Sequence, residues 1–171
     1  MPSPLMSRRA LVVGGAALTL AACATAPRVV EQLPVHPLSG LLDFFGQPFL
    51  PPKINGAVTV VDFWASWCGP CRQALRHMDQ LYRTYQADGL AVVGVSLDDD
   101  VEEARRFWAR ARPRFAVAWD GGGEVSERFD VVALPTALLF DEDGALVHRS
   151  QGFDAVEHRL LEEHVYRLLR S

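Results

Sequence analysis

The sequence predicts an α/β domain with a mixed central sheet flanked by helices, and three observations carry that expectation. Val58-Thr59-Val60-Val61-Asp62-Phe63-Trp64 is a β-branched and aromatic run that reads as a strand buried on both faces. Ala74, Leu75, Met78, Leu81, Tyr82 and Tyr85 then recur at helical spacing, and Leu90 to Leu97 is strand-like again. The later segments continue strand, strand, helix, so a βαβ unit precedes a ββα unit and both helical faces of a sheet are expected to be covered.

Length and composition agree with one such domain. The 171 residues are 49% hydrophobic and 22% charged, the balance of a globular chain with a single core. Formal net charge is -4, and removal of Arg8 and Arg9 with a leader makes the remainder more acidic, which excludes a basic field for nucleic acid.

From the N-terminus, Ser7-Arg8-Arg9 and the apolar run Ala10 to Ala22 form a charged region and a hydrophobic region too short to span a ~30 Å hydrocarbon core. That pattern is an export leader over 1–22. Its end, Leu20-Ala21-Ala22-Cys23, resembles the lipobox of bacterial lipoproteins, which makes Cys23 the acylated residue and the lipid its membrane anchor. The paired arginines match a twin-arginine signal in part, and the general secretory route stays open; either places the domain in the cell envelope, outside the cytoplasm. Residues 23–37, with Pro27, Pro34 and Pro37, read as a semi-rigid tether, and 38–171 as the folded domain.

Within that domain an early hairpin is expected from Leu41 to Phe45, a turn at Gly46-Gln47, and Phe49. The first core strand leads into a helix from Cys68 to about Gln86, closed by Gly89. A second helix covers Val101 to Arg112 and stops at Pro113, followed by a short strand Phe115 to Trp119. Glu124 to Phe129 is a short helix. Thr136 to Phe140 and Ala145 to Arg149 are strands joined by the turn Asp141-Glu142-Asp143-Gly144. Asp154 caps a last amphipathic helix carrying Val156, Leu160, Leu161, Val165, Leu168 and Leu169.

The chemistry concentrates at Trp67-Cys68-Gly69-Pro70-Cys71, between the end of a strand and the start of a helix. Three cysteines are too few for a disulfide scaffold, and two of them stand in this Cys-x-x-Cys pair. Free N–H groups and the positive end of a helix favour a thiolate, so Cys68 is expected to ionise below an ordinary thiol and to be the attacking sulfur. Cys71, one turn inward, resolves the mixed disulfide, and Pro70 costs little where a first-turn N–H has no partner. His36, His77, His148, His158 and His164 supply no second ligand pair, so no zinc or other metal site is expected and the only redox group is the Cys68–Cys71 disulfide. Asp62, a carboxylate among hydrophobic strand neighbours, should be buried with its pKa raised, which suits a proton acceptor.

The segment Val61 to Cys71 resembles the active-site segment of thioredoxins, and Leu134-Pro135-Thr136 resembles that family's second landmark. The resemblance implies a thioredoxin fold, a cis proline at Pro135 facing the cysteines, and Leu134 as a substrate-contacting residue. It implies that Asp62 assists deprotonation of Cys71. It also places Trp67, Gly69 and Pro70 at the substrate surface and Gly152 in the substrate-facing loop. The N-terminal β-hairpin extension and the long central insertion from Asp98 to Trp119 are similar to the TlpA/ResA branch of membrane-tethered periplasmic thioredoxins. In that branch an acidic residue near the site makes Asp99, within Asp98-Asp99-Asp100, a candidate. One departure is Gly94, where thioredoxins place a lysine near the aspartate. Trp64 is expected in the core, Trp67 at the surface beside the thiol, and Trp108 and Trp119 in structural roles.

The function that follows is a thiol-disulfide oxidoreductase reducing disulfides of exported proteins, apocytochrome c among them, with electrons from a membrane donor of thiol-reductase type. The alternative is a tethered copper chaperone holding metal between paired thiolates. A peroxidase is disfavoured, because the threonine-containing loop around a lone peroxidatic cysteine is missing.

Overall fold

The computed structural model describes residues 36–50 and 57–171; Cys23, the leader and most of the tether lie outside the described residues. Five strands and four helices follow one another as β1 (Thr59–Trp64), α1 (Cys71–Tyr85), β2 (Ala91–Ser96), α2 (Val101–Ala111), β3 (Ala116–Trp119), α3 (Glu124–Arg128), β4 (Thr136–Phe140), β5 (Leu146–Gln151) and α4 (Ala155–Leu168). The sheet order is β3-β2-β1-β4-β5. β1 pairs parallel with β2 and antiparallel with β4, so the mixed sheet expected from the element order is present.

Every residue of β1 is buried, which is why its sequence shows no alternation of apolar and polar residues, Asp62 being the single charged one. One face of the sheet, with Val60, Trp64, Val92 and Leu139, packs against Leu75 and Met78 of α1, Phe107 of α2 and Leu161 of α4. The other face, with Val61, Phe63, Val93 and Leu138, packs against Leu38, Leu41 and Val125 of α3. No helix among the described residues is long and apolar enough to cross a membrane.

Local chemistry explains the punctuation. Asp100 accepts from the Glu102 N–H and Asp154 from the Val156 N–H, each capping the helix that follows. Asp141 Oδ1 accepts from the N–H groups of Asp143 and Ala145, tightening the turn between β4 and β5.

Two expectations shift. The early hairpin is reduced to isolated bridges of Leu42 with Pro48 and with Trp119, the first closed by bonds from the Asp43 N–H to the Gln47 carbonyl and from the Phe49 N–H to the Leu41 carbonyl. Asp43 instead organises the turn, accepting from Phe45 and Gln47 N–H, and Leu42 exchanges both backbone bonds with Trp119 at the end of β3. The first helix begins at Cys71 with Pro70 as its cap, not at Cys68, whose N–H turns back to the Ala65 carbonyl at 3.1 Å.

Candidate active site

The turn between β1 and α1 delivers the two cysteines, which form a disulfide with Cα atoms 5.4 Å apart, within the ordinary range for a bridge. Cys71 is the first residue of α1 and has no exposure, whereas Cys68 stands in the preceding turn and keeps 5% of its surface. Cys68 lines a groove of about 590 Å³ with Trp67, Gly69 and Pro70 on one side and Val131, Val132, Ala133 and Leu134 on the other. The Leu134–Pro135 peptide is cis. Gly152, at a positive φ of 78° that favours glycine, donates its N–H to the Pro135 carbonyl at 2.7 Å. It therefore braces the proline loop. Trp67 is 68% exposed on the groove rim, and Trp64 is fully buried.

Behind the disulfide, Asp62 sits at the middle of β1, flanked in register by Gly94 of β2 and Ala137 of β4. Alternation puts its side chain on the same sheet face as Val60 and Trp64, the face that packs against Cys71. Neither carboxyl oxygen has a hydrogen-bond partner among the described residues, and burial pushes its pKa up to about 8. The space over Gly94, where thioredoxins carry a lysine, is filled: a Cβ there would lie 3.0 Å from the Trp108 ring and 3.1 Å from Phe115. Trp108 in turn stacks on Trp64 at 5.4 Å between ring centroids. Gly94 thus lets an aromatic cluster pack over the strand position beside Asp62, where hydrocarbon stands in place of a cation.

The acidic residue that reaches the site is Asp98, not Asp99. Asp99 is exposed, while Asp98 is 1% exposed and its carboxylate accepts from the Ser66 N–H, from Ser66 Oγ at 2.6 Å and from Ser96 Oγ at 2.8 Å. Its carbonyl accepts from Trp119 Nε1 at 2.7 Å. Asp98 therefore pins the residue next to Trp67 from 32 positions away. The sequence signal that could have found it is Ser96-x-Asp98 at a strand end, where a serine and an acid two residues apart close a turn on each other. Among the described residues no group of three or more His, Cys, Asp or Glu side chains is arranged to hold a metal ion.

An exposed-side and a buried-side sulfur in a strand–turn–helix, under a cis-proline loop, define the thioredoxin-like class of thiol-disulfide oxidoreductases. The Redoxin family model matches residues 46–166, and the chain belongs to that family. It is 29% identical over 126 residues to the thiol-disulfide oxidoreductase ResA of Bacillus thuringiensis subsp. konkukian, covering 74% of this chain and 72% of the relative. Among solved structures, a Chlorobium tepidum protein assigned as the thiol:disulfide interchange protein DsbE superposes with TM-score 0.71 at 34% identity, over 77% of this chain and 93% of that one. StoA from Bacillus subtilis superposes with TM-score 0.60 at 25% identity, over 76% and 98%. The protein is a thiol-disulfide oxidoreductase of the TlpA/ResA/DsbE type whose redox group is the Cys68–Cys71 disulfide.

Proposed function

We propose that this enzyme works in the reducing direction on exported disulfide-bearing proteins, apocytochrome c before haem attachment being the leading client, from a membrane position set by acylation of Cys23. The observation that carries the reading is the asymmetry of the pair: Cys68 opens into the groove, and Cys71 is fully buried against the sheet face that carries Asp62. In the reduced enzyme the Cys68 thiolate attacks a client disulfide, forming a Cys68–client mixed disulfide and releasing one client thiolate. Trp67, Gly69, Pro70 and Leu134 hold the client segment in the groove, with Pro135 shaping its wall. Cys71 gives its proton to the Asp62 carboxylate and attacks the Cys68 sulfur as a thiolate, breaking the mixed disulfide; the second client sulfur leaves as a thiolate and takes that proton from Asp62. The enzyme is left as the Cys68–Cys71 disulfide, and two electrons and two protons from a membrane thiol donor restore it.

The direction rests on Gly69-Pro70, which is similar to the reducing thioredoxins and adds no donors that would hold an extreme thiolate. Equilibration with a glutathione buffer should give a potential within about 40 mV of the thioredoxin value of roughly -270 mV. A potential above about -180 mV, the range of an isomerase or oxidase, would overturn the reductase reading. For the anchor, Cys23→Ser should move the protein from the membrane to the soluble fraction, and an unmodified mature N-terminus beyond Cys23 would remove that part of the proposal.

A further inference from the structure

A second groove, between α1 and α2, shares no residue with the one at the disulfide and plays no part in the exchange chemistry. It encloses about 680 Å³, with Arg72, Arg76 and Arg83 of α1 and Arg110 of α2 around it, over Leu75 and Phe107. One carboxylate lines it, Asp79, and its Oδ1 is engaged by the Arg114 N–H at 2.8 Å. Among the described residues the single ion pair is Arg105 with Glu102, so none of these four guanidinium groups has a carboxylate partner. Arg72 lies over the Phe107 ring at 5.4 Å. In a chain of net charge -4 this is a local concentration of positive charge, and gathered like charges are relieved by an anion.

We propose that this groove binds an acidic segment of the disulfide-bearing partner, an inference that rests on the reading of the chain as an exchange enzyme. The spacing selects the occupant. Positions 72, 76 and 83 fall on one stripe of α1 and span about 16 Å of helix, the reach of about five extended residues. A row of that length suits carboxylates carried along a peptide better than one phosphate headgroup, and guanidinium forks take carboxylates two bonds at a time. The apolar floor accepts the aliphatic side chains between them. Arg72 follows Cys71 directly, so a segment held here is kept beside the reacting pair, which raises its effective concentration and speeds encounter.

The test uses the reduced full chain in detergent micelles and three disulfide-bridged peptides that differ only in a five-residue flank of glutamate, glutamine or lysine. Stopped-flow tryptophan fluorescence reads the second-order rate constant. At low ionic strength the glutamate peptide should react about tenfold faster than the glutamine peptide, and the lysine peptide more slowly than either. The preference should collapse near 1 M salt, where screening acts within about 3 Å. Arg76→Glu, Arg83→Glu and Arg110→Glu together should abolish it while leaving the glutamine peptide's rate unchanged. The same three positions changed to Gln, which remove charge without reversing it, should do likewise and serve where charge reversal impairs folding. Equal rates for the three peptides, or a preference that survives both triple substitutions, overturn the proposal. Arginine-dependent binding to phosphatidylglycerol vesicles without any choice among peptides overturns it too, making the groove a membrane contact. If no peptide reacts, the exchange reading falls and this proposal with it, a result distinct from equal rates.

Discussion

Asp62 and Asp98 are both withdrawn from water and stand one strand apart, yet their surroundings are opposite. Asp98 is wrapped by donors from Ser66 and Ser96, and through them it fixes the turn that carries Trp67 and Cys68. Asp62 has no donor among the described residues and is flanked in register by Ala137 and by Gly94, over which Trp108 and Phe115 pack. Burial by itself is therefore silent about role: donors make one carboxylate a structural clamp, and their absence leaves the other with a proton affinity matched to neutral pH.

The largest effect that would break this contrast is on Asp98. Asp98→Ala leaves the Ser66 N–H and two hydroxyls without their buried acceptor, and urea unfolding should show a loss of about 3 kcal/mol. A loss below about 1 kcal/mol would mean that the clamp does not exist.

Asp62→Asn should act the other way, and only where the carboxyl is charged. The folded pKa of about 8 lies above the unfolded value near 3.9, so the folded state holds the extra proton between them. Stability of the parent then falls as pH rises from about 4 to about 8 and is level above that. The variant should match the parent at pH 4 and exceed it by at least about 2 kcal/mol at pH 9, while release of the mixed disulfide slows about tenfold or more. Parallel stability curves at the two pH values would show that Asp62 is solvated or paired.

A smaller effect sharpens the origin of the apolar setting. Gly94→Ala puts a methyl 3.0 Å from Trp108 in a packed cluster and should cost about 1–2 kcal/mol in the same unfolding measurement. No loss would mean that Trp108 moves freely and does not wall in Asp62. The smallest stability change belongs to Trp67→Ala, within about 0.5 kcal/mol because the ring is mostly exposed, although exchange with a folded protein client should fall severalfold. An unchanged rate would remove Trp67 from the client surface.

What could be read from the residues alone was whatever local chemistry decides. The β-branched and aromatic run of β1, the Asp154 cap and the Asp141–Gly144 turn depend on neighbours within a few positions, and each stands where it was expected. The Cys-x-x-Cys pair and the Leu134-Pro135 bond were legible through resemblance, the cis bond not being something that spacing alone dictates. Contacts between distant segments were not legible. A run of three aspartates does not say which one turns inward, and only the meeting of Ser66 with the end of β2 selects Asp98 over Asp99. Gly94 reads as a missing lysine; that the gap is filled by Trp108, from the helix that follows β2 and folds back over it, needed the packing. The helix starts one turn later than expected because the Cys68 N–H closes a local turn onto the Ala65 carbonyl at the end of β1.

The claim on which the rest depends is the division of labour between the two sulfurs. Cys71→Ser, expressed with its natural clients present, should accumulate mixed disulfides on Cys68 that resolve only on reduction, while Cys68→Ser should accumulate none and lose insulin-type reductase activity. Mapping the trapped bond by peptide mass spectrometry decides it: a client cysteine joined to Cys68 is the predicted result, and trapping on Cys71 in the Cys68→Ser protein would contradict the account.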